Sequence, residues 1–321
     1  THIHTTTVGI HRFGQHTVRR RQVAVSVTVG YRHSNCGPHR CQVDCHRREV
    51  VRGEAHRFAA RFFADGGFFT ADRKARFVAV TTPALEEADE RHPFTLNTGR
   101  IRDHWHTMTR TGKSARLSAH IAEPFCEIHP ADADKAGIGD ADLVNVEGAN
   151  GRSIIVRALL TERQSRGSIF VPMHWTGETA PSARVDTLVS SRVDPISGQP
   201  ALKMARASVT RHVAKAHGFL VSATRPSDLP FAYWAIAKAE GGYRLEFAGD
   251  PPAEGWEIWL RRSLELEGHH EFSGYMDERA GDHRVLAFEG EKLLAGLFVS
   301  SDPVSVSRQW AVDQLTESHP D

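Results

Sequence analysis

The stretch PFTLNTGRIRDHWHTMTRTGKSARLSAHIAEPFCEIHPADADKAGIGDADLVNVEGANG, residues 93–151, decides how this chain is read. Residues 94–98 alternate apolar and polar, as a half-buried strand does, and run straight into Gly99-Arg100. A polar-aromatic segment follows over 103–111. A second strand is expected at 125–129, entering a short helix opened by Pro130, a residue suited to the first helical turn. Gly137 ends that helix, and Gly139-Asp140 turns the chain into a strand over 143–147. Asn150-Gly151 is a hairpin signal, with its return strand at 153–160.

Further on, a strand at 168–172 ends at His174-Trp175. Many short strands with few helices between 93 and about 210 predict a β-barrel-like domain. Residues 211–321 read as a separate small α+β unit. Strands are expected at 218–224, 231–237, 243–247, 271–277, 285–289 and 294–299, and helices at 254–264 and 304–315. Before the barrel, residues 57–92 read as an aromatic hairpin over 61–80 followed by an acidic linker over 81–92. The expected class is therefore mainly β with α+β.

The chemistry-bearing residues fall at strand ends. Asn97-Thr98-Gly99-Arg100 places a backbone without Cβ obstruction beside a guanidinium fork, which suits a ligand carrying phosphate and amide edges. His104-Trp105-His106-Thr107 and Thr109 follow, with Thr111 and Ser114 adding hydroxyls, and Pro172, His174 and Trp175 come later. Each has a plainer reading: Gly99 as a tight turn, Arg100 paired with Asp103, the tryptophans as core, the histidines as surface or satisfied groups. Composition does not choose between the two; the joint order of the pieces does.

Composition sets outer limits. The 321 residues are 40% hydrophobic and 25% charged with a formal net charge of +1, values of ordinary globular protein. No apolar run approaches the ~20 residues of a membrane-spanning helix. The near-neutral balance hides an asymmetry. Residues 1–56 hold eight of the 20 histidines, nine arginines, no lysine and three acidic residues, about +6 against about −5 for the remainder. They contain no leucine; the first in the chain is Leu85. Cys36, Cys41 and Cys45 lie there among His33, His39 and His46, enough ligands for a metal but in no standard spacing. The arginines could neutralise phosphates, but only Phe13 and Tyr31 are available for stacking. No apolar stretch suited to a secretory signal follows the charges. The expectation is that this head is no native fold and derives from a wrong reading frame or misassigned start, and that the chain, opening on Thr1, is a fragment.

Taken together, residues 93–151, then FVPMHWTGE at 170–178 and DPISGQPALK at 194–203, resemble the molybdopterin-guanine-dinucleotide-binding domain of the large molybdenum oxidoreductases. Within them the likeness is greatest to the assimilatory nitrate reductase large subunit, strong over about 60–210 and less specific over 211–321. The resemblance implies a double-psi β-barrel, followed by the α+β extension, and contact with a molybdopterin guanine dinucleotide, as bis-MGD carrying molybdenum. Carried over, Asn97, Thr98, Gly99 and Arg100 line the cofactor at the end of the first strand. His104, Trp105, His106, Thr107 and Thr109 follow it along the next loop. Pro172, His174 and Trp175 form the other wall, and Lys203 matches a recurrent lysine. Where many relatives have Asn-x-Leu-Thr this chain has Asp186-Thr187-Leu188-Val189, and an aspartate facing a phosphate is repulsive, so no direct contact from 186 is expected.

The resemblance also implies a 4Fe-4S motif and long catalytic domains ahead of residue 57, of which this chain has none, and a cysteine-rich domain that some relatives append beyond its end. No catalytic residue and no metal ligand is expected within these 321 residues. Cys126 reads as a buried inert thiol. The partners implied are nitrate and an electron donor such as a reductase domain, ferredoxin or flavodoxin, with no nucleic acid and no membrane, and a cytoplasmic location. The alternatives are another member such as a formate dehydrogenase, or a stand-alone non-enzymatic barrel that binds a ligand.

Overall fold

A computed structural model describes residues 63, 66–77, 79, 89–195, 197–277 and 279–320. The readings of residues 1–56, and of the linker over 81–88, lie outside these. The chain divides into two compact units, Thr1–Ala79 and Val80–Asp321. Of the first, the described residues show a turn in which Phe68 N donates to Arg73 O (2.9 Å), with Phe63 stacked on Phe68 at 4.7 Å. The hairpin expected over 61–80 is not formed among them: they carry turns and bends but no strand.

The second unit opens with β1 (Phe94–Gly99), α1 (Ala115–Ser118), β2 (Phe125–Ile128), α2 (Pro130–Lys135), β3 (Leu143–Gly148), β4 (Ser153–Leu160), β5 (Ser168–Pro172) and β6 (Ala205–Arg211). The six strands close a barrel in the order β1-β5-β2-β4-β3-β6. β1 pairs in parallel with β5, and β2 with β4; all other neighbours are antiparallel. Alternation drives the inward set: Leu96, Cys126, Ile128, Val144, Val146, Val156, Ile169 and Val171 are essentially inaccessible. α2 starts at Pro130, and His129 Nδ1 accepts from Ala131 N (3.1 Å) as its cap. β6 was not among the expected strands. Its sequence, ARASVTR, alternates over Ala205–Thr210, but the alternating apolar residues are mostly small, and its place in the barrel is set by β1 and β3, whose open edges it pairs with.

The chain continues through β7 (Ala216–Ser222), β8 (Tyr233–Ala239), β9 (Gly242–Gly249), α3 (Trp256–Leu264), β10 (Glu271–Asp277), β11 (Asp282–Glu289), β12 (Lys292–Ser300) and α4 (Arg308–Asp313). The strands form one antiparallel sheet, ordered β10-β11-β12-β7-β9-β8. α3 lays Trp256, Trp259, Leu260 and Leu264 on the sheet at helical spacing, where Trp259 meets Phe231 and Phe247. α4 is shorter than the helix expected over 304–315. Ser307 Oγ accepts from Trp310 N (3.3 Å), an N-cap that starts the helix at Arg308 and leaves Val304 and Val306 outside it.

Barrel and sheet share buried residues: Tyr233, Ala235 and Ala248 belong to the same apolar cluster as the barrel interior. An ion-pair cluster crosses the same contact. Glu123, just before β2, receives hydrogen bonds from Arg157 Nε (2.8 Å) and Tyr233 Oη (2.7 Å), with Arg244 3.6 Å away. Arg244 and Arg308 in turn hold Glu246 at 2.9 and 3.0 Å.

Candidate functional site

The site lies where β1 and β5, paired in parallel, both end. Their register sets Gly99 opposite Pro172, and Met173 N donates to Gly99 O (3.0 Å). Strand alternation separates the first four candidates: Thr98 is fully buried with Leu96, while Asn97 and Gly99 face the other side. Lys203 reaches this strand end from well down the chain, and its Nζ contacts Thr98 O. A Cβ at position 99 would stand 3.2 Å from Lys203 Nζ and 3.4 Å from the Phe170 ring, so a side chain there would crowd the ammonium.

The loop after β1 carries the aromatic segment. Arg100 lies over the Trp105 ring, 4.8 Å from its centroid, rather than pairing with Asp103. Asp103 is taken instead by His120 Nδ1 (2.5 Å) and Arg102 Nε (3.2 Å), which hold its carboxyl below the usual range, His120 foremost. His106, Thr107 and Met108 are consecutive residues with φ of 41°, 55° and 62°, and His174 has φ of 95°. Each left-handed non-glycine costs roughly 1–3 kcal/mol, and such strain persists where surrounding contacts over-determine it. Here the loop is tied to the second wall by Thr107 N, which donates to His174 Nδ1 (3.2 Å).

That bond assigns a tautomer. A backbone N–H only donates, so Nδ1 of His174 accepts and its proton sits on Nε2. Nε2 is buried without a protein partner. So is Nε1 of Trp175, a group that can only donate, and so is Nε2 of His104. His104 stands edge-on to Trp175 at 4.7 Å and is anchored through Nδ1 to Thr111 Oγ1 (2.9 Å). Burial, and then His174, push the His104 imidazole down to about 4, against Asp103. Burial lowers His174 too; Asp186 opposes the shift, while Arg100 and His106 add to it. Both rings are therefore neutral at pH 7.

Buried polar atoms are seldom left unpartnered, and the two donors here, with His104 Nε2 beside them, point to a ligand carrying acceptor atoms. With Arg100 and Lys203 at the strand end, the wall suits an anionic, acceptor-rich group. A cavity of about 450 Å³ opens beside it, lined by Arg100, Asp103, His104, Trp105, Arg110 and Leu117. The threonine hydroxyls are engaged within the loop itself. Thr111 is buried against His104, and the hydroxyls of Thr107 and Thr109 donate to the carbonyls of His106 (2.6 Å) and Trp105 (3.3 Å). They shape the loop. His120, Arg110 and Leu117 were not foreseen: His120 lies 17 residues from Asp103, and no local pattern joins them. Cys126 is fully buried, its thiol pushed up to about 12 by burial.

Comparison with known proteins bears on the same residues. The family described as Molydopterin dinucleotide binding domain matches residues 94–206. A nitrate reductase of Klebsiella oxytoca is 32% identical over 268 residues, covering 82% of this chain and 29% of that protein. An assimilatory nitrate reductase catalytic subunit of Bacillus subtilis is 35% identical over 152 residues, 46% of this chain and 21% of that protein. The alpha subunit of an F420-dependent formate dehydrogenase of Methanococcus maripaludis is 38% identical over 126 residues, 39% of this chain and 18% of that protein. The chain thus spans less than a third of the length of these relatives.

Proposed function

We propose that the chain belongs to the molybdopterin oxidoreductase family and is the dinucleotide-binding, carboxy-terminal portion of an assimilatory nitrate reductase that reduces nitrate to nitrite. The observation that carries the cofactor assignment is the wall of unpartnered groups, His104 Nε2, His174 Nε2 and Trp175 Nε1, at the mouth of the β1–β5 pair. These atoms fit a group rich in phosphate and heterocyclic acceptors. Arg100 and Lys203 supply two positive charges for a diphosphate, and the absence of a Cβ at Gly99 admits Lys203. Asn97, Thr107, Thr109 and Pro172 complete the lining. Asp186 acts by charge on His174, and no phosphate contact is assigned to it.

When bound, a molybdenum bis-MGD cofactor supplies two-electron oxygen-atom transfer; this part of the chain binds, orients and excludes water. Neutral His104 and His174 can donate or accept without adding charge beside the diphosphate. The strained His106–Met108 backbone holds the loop in one shape.

Nitrate is favoured over formate by reach: the Klebsiella oxytoca nitrate reductase is similar over 82% of the chain, and the formate dehydrogenase over 39%. A formate dehydrogenase is the second reading, because the Methanococcus maripaludis subunit is 38% identical over the 126 residues it matches. The 4Fe-4S cluster, an electron donor such as ferredoxin, flavodoxin or a reductase domain, and the cytoplasmic location belong to the same proposal.

The test is purification of the full gene product from molybdenum-supplied cells, with measurement of molybdenum, of GMP released by hydrolysis, and of nitrate and formate turnover with a reduced or oxidised viologen. Two GMP per molybdenum and nitrate reduction are expected. Protein lacking guanine nucleotide would overturn the cofactor assignment, and formate turnover without nitrate turnover would overturn the substrate.

A further inference from the structure

Away from the cofactor wall, two adjacent histidines and two carboxylates meet at one corner of the sheet. His269 and His270 lie in the turn between α3 and β10, and Glu289 is the last residue of β11. One ligand atom from each of these three lies within 4.8 Å of the others. The ladder explains the meeting: Glu271 pairs with Phe288, so the residues just outside that pair, His270 and Glu289, emerge at the same end of β10 and β11.

The imidazoles are oriented from behind. His270 Nδ1 is 3.2 Å from Glu267 O, and His270 N donates to the same carbonyl (3.3 Å). His269 Nδ1 is 3.5 Å from the Glu267 carboxylate. An Nδ1–H held by a carbonyl or carboxylate fixes the tautomer whose Nε2 lone pair faces outward, the arrangement that supports metal-binding histidines. The two rings lie 4.1 Å apart by centroid.

We propose that His269, His270 and Glu289 form a binding site for a divalent transition-metal ion of the zinc class, with Glu267 as the positioning residue and water completing the shell. Two imidazoles and a carboxylate suit zinc, nickel or copper rather than magnesium or calcium, which prefer all-oxygen sets. Ligands about 2.0–2.2 Å from a tetrahedral ion stand roughly 3.4 Å apart, so the exposed side chains close the remaining gap by small rotations. The consequence is mechanical. Among the described residues β10 is an edge strand that pairs only with β11, and it exposes most of its side chains. An ion bridging the turn before β10 to the end of β11 staples the one ladder that holds this edge.

The test uses the full chain, freed of metal by chelation and titrated with Zn²⁺. Histidines and cysteines of residues 1–56 can also take zinc, so the readouts are differences. The H269A/H270A double variant is expected to bind one Zn²⁺ fewer by calorimetry, and E289Q to bind that ion more weakly. Hydrogen exchange over residues 265–292 is expected to slow roughly 100-fold at free Zn²⁺ a hundredfold above Kd, where opening is limited by metal release. That slowing should vanish in the double variant and be absent with Mg²⁺. Circular dichroism verifies that the variant, altered at exposed positions, is folded. Unchanged stoichiometry in the double variant, protection that survives it, or equal protection by Mg²⁺ would overturn the proposal.

Discussion

Glu123 is the residue whose removal should cost the fold most. Its side chain is only 15% exposed and holds Arg157, Arg244 and Tyr233 at the contact between barrel and sheet. Burial alone would raise its pKa, but Arg157, by charge and hydrogen bond, and then Arg244 and Tyr233 outweigh it and hold the carboxyl low. In Glu123→Ala the largely buried Arg157 guanidinium loses its counter-charge, Arg244 keeps only Glu246, and a fully buried tyrosine hydroxyl loses its acceptor. Breaking a buried pair from one side costs about 3–5 kcal/mol. For a unit of this size that is roughly 6–20 °C in Tm. Glu123→Gln keeps an acceptor for Tyr233 and removes only the charge, so it should fall between wild type and Glu123→Ala.

The pH dependence separates charge from packing. A depressed carboxylate contributes stability that is present above its ordinary pKa and is lost as pH falls through the folded value. The gap between wild type and Glu123→Gln, measured by urea unfolding followed by tryptophan fluorescence, should therefore be full at pH 7 and shrink below about pH 4. A Glu123→Ala variant within about 1 kcal/mol of wild type, or a gap that does not change with pH, would refute the reasoning.

Other substitutions test other contacts. Gly218→Ala should lose about 1–3 kcal/mol in the same assay, because its Cβ would lie 2.3 Å from the Phe247 ring, itself wedged by Phe231 and Trp259. Gly99→Ala should leave unfolding nearly unchanged yet displace Lys203, weakening cofactor retention by the full enzyme roughly tenfold, about 1.4 kcal/mol, as read by GMP content after dialysis. His104 titrates near 4 in the fold and near 6.5 when unfolded, so the unfolded chain binds the extra proton between these values. Stability should accordingly rise with pH across that window, with a smaller slope in His104→Gln. Cys126 should resist alkylation in the native chain and react in urea, as followed by mass spectrometry of its peptide.

Much of the barrel was legible because its strands are local events. Residues 153–160 and 168–172 are apolar runs that follow the turn residues Asn150-Gly151 and Gly167, and they form β4 and β5 with those bounds. What could not be read for β6 is its pairing, since nothing within ARASVTR says that its edges fit β1 and β3. The helix expected over 304–315 erred in the opposite sense. Apolar spacing extended it backward, and the Ser307 cap decided its start. The fold brings the end of β1, the loop after it, the end of β5 and Lys203 together, while the contacts each side chain makes there could not be read from the order of the motifs.

By itself, then, the amino-acid order determined what depends on neighbours along the chain: strand alternation, the glycine at the end of β1, and the succession of motifs that marks a dinucleotide-binding barrel. Tertiary structure alone decided what depends on distant segments meeting. Glu123 finds Arg157 34 residues away and Tyr233 110 away; Lys203 finds Thr98 across 105. The neutrality of His104 is likewise set by burial and by His174, that of His174 by burial with Arg100 and His106, and the gathering of His269, His270 and Glu289 by the β10–β11 register. The physical reason is the same in each case. A side chain's charge state and partners follow from the dielectric and donors that surround it in space, and those are fixed only when the backbone has closed.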